Sequence, residues 1–256
     1  MSRAFRIAGL AAAVVLVAPP LAQAITADDI IAHHLEALGG QERLAAIKSL
    51  KRSGRLFVPG SSIELRYTEI VSRPGSIRRE LTLQGMTQIA AFDGHDGWRV
   101  EPFGGRKDPA LIAADETKSL KLGADLERPL IGYRAKGHQV EYLGLEDLDG
   151  TPAHKLRVQL GWGDQVTYWI DPDSWMLVRA RARQIIRGSE RVVDTDFGEY
   201  ERVAGVWIAM AEESGPENSD ATQHRRIVYE QAEANVPTPA SLFAFPTAMP
   251  TAEAQR

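Results

Sequence analysis

The chain contains no cysteine. That absence excludes disulfides, thiolate nucleophiles and Cys-based metal sites together. A basic excess is missing too: 30 Lys and Arg stand against 34 Asp and Glu, a formal net charge of −4. Nucleic-acid binding needs a basic face, so no nucleic-acid partner is expected. Beyond the first two dozen residues, no apolar run approaches the roughly twenty residues of a membrane-spanning helix. The motifs of common chemistries are also absent. There is no Gly-x-Ser-x-Gly, and Gly85 and Gly104-Gly105 lack the spacing and the Lys of a phosphate-binding loop. No catalytic residue, cofactor or metal ion is therefore expected.

What is present begins with the pattern of a secretory signal. Arg3 and Arg6 precede an apolar run from Ile7 to Val17, which Pro19 and Pro20 break. Leu21-Ala22-Gln23-Ala24 then fits the small-x-small pattern of a cleavage site. The run is too short to cross a bilayer of roughly 30 Å. Residues 1–24 are thus expected to be removed on export to the periplasm, which would shift the charge from −4 to −6 by loss of Arg3 and Arg6. No Cys follows the small residues, so acylation of the N-terminus is not expected.

After this segment Ile30, Ile31, Leu35 and Leu38 recur at helical spacing, with Thr26 or Asp28 as cap and Gly39-Gly40 as stop. A short second helix is predicted from about Gln41 to Ile47. From Leu50 the period changes to two. Alternating runs separated by Pro59-Gly60-Ser61, Arg73-Pro74-Gly75, Gly85 and Asp93-Gly94 predict five strands in a meander. The alternation stops over 108–133 and resumes after Gly137 for the remainder of about eleven or twelve strands. Residues 108–133 therefore read as one or two inserted helices, with Leu111, Ile112, Leu120 and Leu122 as their apolar face. The fold class is mainly β (α+β): a large antiparallel sheet that must curl, behind an N-terminal helix and with a helical lid inserted mid-sheet. The expected domain covers 25–236. Residues 237–256 read as a Pro/Ala/Thr-rich tail in which Phe243 and Phe245 can pack.

Several stretches together resemble the outer membrane lipoprotein-sorting protein family, a branch of the superfamily that includes the periplasmic carrier LolA. They are Ala27-Asp28-Asp29-Ile30-Ile31 to Gly39-Gly40 with Leu44 to Leu50, Phe92-Asp93-Gly94 with Gly97-Trp98, Tyr142-Leu143-Gly144 with Asp149-Gly150-Thr151-Pro152, and Thr167 to Pro172 with Gly205-Val206-Trp207. The resemblance spans roughly residues 27–233. It implies an incomplete β-barrel with a helical lid over an apolar cavity, and a role in carrying lipoproteins or other acyl-chain ligands, handed on to a receptor at the inner or outer membrane. A protein-binding envelope sensor or assembly factor with the same fold is the alternative. The arginine that gates the cavity in this superfamily has three candidates here, Arg52, Arg55 and Arg66.

Leu65, Tyr67, Leu81, Leu83, Leu156, Val158, Tyr168 and Ile170 share the alternation that turns side chains inward. They either fill a core or line a cavity, and the resemblance favours the cavity wall. Leu111, Ile112, Leu120 and Leu122 would then shield the hollow from water. His33-His34 reads as a solvated helix face, because adjacent helical residues point about 100° apart and cannot share one ion well. Asp93, His95 and Asp96 read as a hairpin turn.

Overall fold

A computed structural model describes residues 24–246. The signal-like segment lies outside the described residues except for Ala24, as do residues 247–256. Helix α1 (Ala27–Leu38) starts where Thr26 and Asp29 cap each other: Thr26 Oγ1 accepts from the Asp29 N–H at 3.2 Å, and Asp29 Oδ2 accepts from the Thr26 N–H at 2.9 Å. Gly39 ends it, and α2 (Gln41–Ala46) follows.

The chain then makes six strands in succession: β1 (Ser49–Phe57), β2 (Glu64–Ser72), β3 (Ser76–Leu83), β4 (Met86–Phe92), β5 (Gly97–Glu101) and β6 (Arg106–Leu111). A connector, residues 112–138, holds the short helix α3 (Lys118–Gly123) and a series of turns. Seven strands complete the sheet: β7 (Gln139–Leu148), β8 (Thr151–Gln159), β9 (Gln165–Ile170), β10 (Leu177–Ile186), β11 (Ser189–Val203), β12 (Val206–Pro216) and β13 (Arg225–Ala234). All thirteen form one antiparallel sheet in which β1 pairs β13, so two meanders are joined at their far ends. β6 and β7 lie at opposite edges and do not pair, so the sheet is curled but not a closed barrel. Among the described residues, no helix is long and apolar enough to cross a membrane.

Two features of the insertion differ from the sequence expectation. Residues 108–111, expected as helix, belong to the edge strand β6. Pro109 cannot donate to a ladder and is tolerated where only one neighbour exists. Its Arg-Lys-Asp-Pro sequence also shows no apolar alternation, which is why it was invisible to a period-two reading. The helical part of the connector is then only the six residues of α3. Residues 237–246 pack back on the sheet: Phe243 is buried, its carbonyl accepts from Trp98 Nε1 at 2.7 Å, and Thr238 Oγ1 meets Ser72 Oγ at 2.8 Å.

One close approach shapes the sheet where β1 meets β13. The pairing skips from Ser53↔Gln231 to Gly54↔Tyr229, leaving Glu230 as the extra residue of a bulge. A Cβ at Gly54 would stand 2.0 Å from the Val228 carbonyl oxygen, so only glycine fits there. The bulge sets Tyr229 beneath the neighbouring Arg52.

Candidate binding site

On β2 the inward positions are Leu65, Tyr67, Glu69 and Val71, and on β1 they include Leu50, Arg52 and Leu56. Arg52 and Glu69 are direct cross-strand partners, and Glu69 is in turn opposite Arg79 on β3. Three neighbouring strands thus place +, − and + side by side on the concave face. Arg52 Nη2 donates to Glu69 Oε1 at 2.5 Å, and Arg79 Nε donates to Glu69 Oε2 at 2.8 Å. Arg52 Nη1 also reaches Glu212 Oε1 at 2.9 Å and the Ala209 carbonyl at 3.0 Å. Tyr67 donates to Glu69 at 3.1 Å, and the Arg52 guanidinium lies 3.9 Å from the centre of the Tyr229 ring. The Tyr229 hydroxyl is buried with no hydrogen-bond partner among the described residues.

Burial would push the Glu69 carboxyl up, but the two guanidiniums outweigh it and hold its pKa down to about 2. Glu69 is therefore ionised at neutral pH, between two cationic guanidiniums. Of the three candidate arginines, only Arg52 points into the molecule. Arg55 is exposed and pairs with Glu64 and Glu230, and Arg66 is exposed.

The cluster forms one wall of a hollow of about 140 Å³. Leu38, Leu44, Leu50, Ile131 and Val206 add an apolar wall. The connector roofs it. Its underside is apolar, with Leu120 and Ala124 buried against Val71, Ile77 and Phe92. Its margins are polar: Lys118 Nζ donates to Asp164 at 2.9 Å, Ser119 to Gln184 at 3.0 Å, and Arg73 to Glu127 at 2.9 Å. Tyr133 and Arg134 reach Asp28 of α1 at 3.0 and 2.7 Å. A Cβ on Gly123, the last residue of α3, would fall 2.3 Å from Arg79 Nη2, so the roof sits directly on the charged wall.

α1 forms a further margin. His34 lines the hollow and its Nδ1 lies 2.7 Å from the Trp175 carbonyl oxygen, where the ring N–H donates. The Trp175 indole is held between His33 and His154, with ring centres 4.5 and 5.2 Å away. The expected solvated His33-His34 face is thus incorrect for His34, which is buried because α1 lies on the sheet. Burial, reinforced by the nearby Arg128 charge and partly opposed by the Trp175 contact, lowers its pKa from 6.5 to about 4.

The twelve residues singled out in the sequence lie mostly elsewhere. Leu156, Val158, Tyr168 and Ile170 are packed in a core with Ile30, Ile31 and Leu130. Leu65 and Tyr67, with Leu81 and Leu83 at the margin, form a second core beyond the charged cluster. None of these eight lines the hollow. They fill cores, because α1, the connector and the facing strands occupy the space over them. Of the four lid residues, Leu122 lines the hollow, Leu120 and Ile112 pack beside it, and Leu111 is 65% exposed on β6 and shields nothing. Asp93 accepts from the His95 and Asp96 N–H groups at 2.8 and 2.9 Å, the geometry of a turn.

No protein-family model matches the sequence, and the curated proteins give no match. Solved structures do resemble the fold. A LolA superfamily protein from Nitrosomonas europaea aligns over 86% of this chain and 98% of its own, with a TM-score of 0.57 at 12% identity. An outer membrane lipoprotein-sorting protein domain from Vibrio parahaemolyticus aligns over 82% and 95%, with 0.52 at 12%. A DUF1329 family protein from Desulfovibrio piger aligns over 86% and 97%, with 0.51 at 11%. The chain thus has the LolA-like fold. At these identities the likeness is one of fold, not of ligand.

Proposed function

We propose that this protein is a periplasmic binding protein or carrier for acyl-chain ligands, whether free lipids or the lipid portion of lipoproteins. The observation that carries the reading is the roofed hollow: an apolar wall on the concave face of an open sheet, under a connector whose margins are held by polar contacts that water can replace. At about 140 Å³ the resting hollow is smaller than the roughly 300 Å³ at which ligand pockets usually begin. Uptake therefore requires the connector to lift, extending the apolar wall. Each methylene then transferred from water contributes about 0.8 kcal/mol, so part of one chain suffices to offset the lost margin contacts. Release follows when a membrane or receptor offers the chain an equal apolar environment. The fold shared with LolA superfamily structures supports this reading.

The test is native mass spectrometry of the exported protein, purified from the periplasm, with lipid extraction. Retained lipid in stoichiometric amount is expected. A bare protein mass, unchanged after incubation with phospholipid vesicles and lipopeptide, would overturn the proposal.

A further inference from the structure

The charges around the hollow do not cancel. Arg52 and Arg79 share Glu69 and Glu212. Of the other carboxylates on its lining, Asp125 pairs with Lys136, and Glu127 pairs with Arg73 and, at 3.7 Å, with Lys136. That leaves Arg128. It lines the hollow, yet among the described residues its guanidinium makes no ion pair and no hydrogen bond. The group lies over the Phe197 ring, 4.2 Å from its centre. Such stacking fixes the plane of a guanidinium and leaves its five N–H donors at the edge free. The backbone at Arg128 has φ +54°, a conformation that non-glycine residues seldom adopt. It is held there from both sides, since the Arg128 N–H donates to the Asp125 carbonyl at 2.9 Å and Lys136 Nζ donates to the Arg128 carbonyl at 2.7 Å. A side chain placed by a strained, braced turn and left without a partner is one whose partner comes from outside.

We infer that the ligand taken into the hollow is an amphiphile with an anionic head, and that Arg128 receives that head while the apolar wall takes the chain. The inference rests on the acyl-chain reading above and specifies it. A carboxylate or phosphate oxygen pair matches the guanidinium edge in two parallel hydrogen bonds, which a neutral ester cannot form with equal strength. The opposite polarity is disfavoured: a cationic head would meet Arg128 without a counter-charge, because the nearby carboxylates are already paired.

The decisive measurement is equilibrium binding of palmitate and methyl palmitate, delivered from cyclodextrin at pH 7.5, to the full chain and to its Arg128→Gln and Arg128→Lys variants. Palmitate is expected to bind about tenfold more tightly than its ester. Arg128→Gln should bring palmitate down to the ester's affinity without changing the ester, and Arg128→Lys, a point charge without the paired donors, should keep only part of the preference. Equal affinities in the natural chain, or a preference that survives Arg128→Gln, would overturn the inference while leaving the acyl-chain reading standing. Failure to retain either compound would overturn both.

Discussion

The two halves of this one sheet differ in what their concave faces carry: both hold an apolar core, and the second adds a row of charges. Under β7 to β10 the concave face is dry and filled: Leu156, Val158 and Ile170 are 0% exposed and α1 and the connector press on them. Across β1 to β3 and β12, the same concave face carries Arg52, Glu69, Arg79 and Glu212, and the space above them is left open as the hollow. The contrast has a simple cause. Apolar side chains attract other apolar segments until no space remains, whereas a row of ionised groups resists being covered by them. The filled half fixes the fold, and the charged half keeps a site from closing.

Glu69→Ala breaks that contrast most severely. It leaves the buried Arg52 with Glu212 alone and the half-buried Arg79 with no carboxylate, and removing one partner of a buried pair costs about 4 kcal/mol. Urea denaturation should show the loss. Replacing the row together, as Arg52→Met, Glu69→Leu, Arg79→Met and Glu212→Leu, should cost far less and close the hollow. A loss under about 1 kcal/mol for Glu69→Ala would mean that water already solvates the cluster and that the hollow is wet to its floor.

Leu156→Ala tests the other half. In a filled core the truncation leaves a void and costs about 3 kcal/mol. If Leu156 instead lined a ligand cavity, the change would cost little and would raise lipid capacity. The first outcome is expected, with binding unaltered.

Between the halves, α1 is fastened through His34. Because burial and the Arg128 charge lower its pKa to about 4 from 6.5, the unfolded chain takes up a proton over that interval and the folded chain does not. Stability should therefore fall as pH drops from about 6.5 to 4, by about 3 kcal/mol from this residue. His34→Gln should be less stable at pH 7.5 but should show a flatter decline than the natural chain over the same interval. Parallel declines would assign the acid sensitivity to other groups.

Much of this organisation was legible beforehand, and the part that was not has a physical reason. The meander, the capped first helix and the curl of a large sheet follow from period, turn residues and Thr26–Asp29. β6 escaped because an edge strand with Pro109 need not alternate. The cavity-wall residues were sought among inward apolar positions, which is where cores form. The better signal was the reverse: Arg52, Glu69 and Arg79 occupy inward positions in rows made mostly of Leu, Tyr, Val and Ile, with alternating sign on consecutive strands. A charge at a core parity costs too much to be incidental. Arg128 carried no such signal, since its lack of partner is a property of the folded connector alone.

The smallest expected effect sharpens the boundary of the roof. Leu111 lies on the outermost strand opposite Trp98, 65% exposed, with no roofing contact. Leu111→Ser should change stability by no more than about 0.5 kcal/mol, as surface substitutions usually do, and should leave lipid retention intact. Leu122, eleven residues on, lines the hollow, and Leu122→Ser should weaken retention even where the fold persists. If Leu111→Ser weakened retention equally, the β6 edge would belong to the ligand path. The roof would then extend from α3 to the rim of the sheet, and the open edge rather than the connector would be the gate.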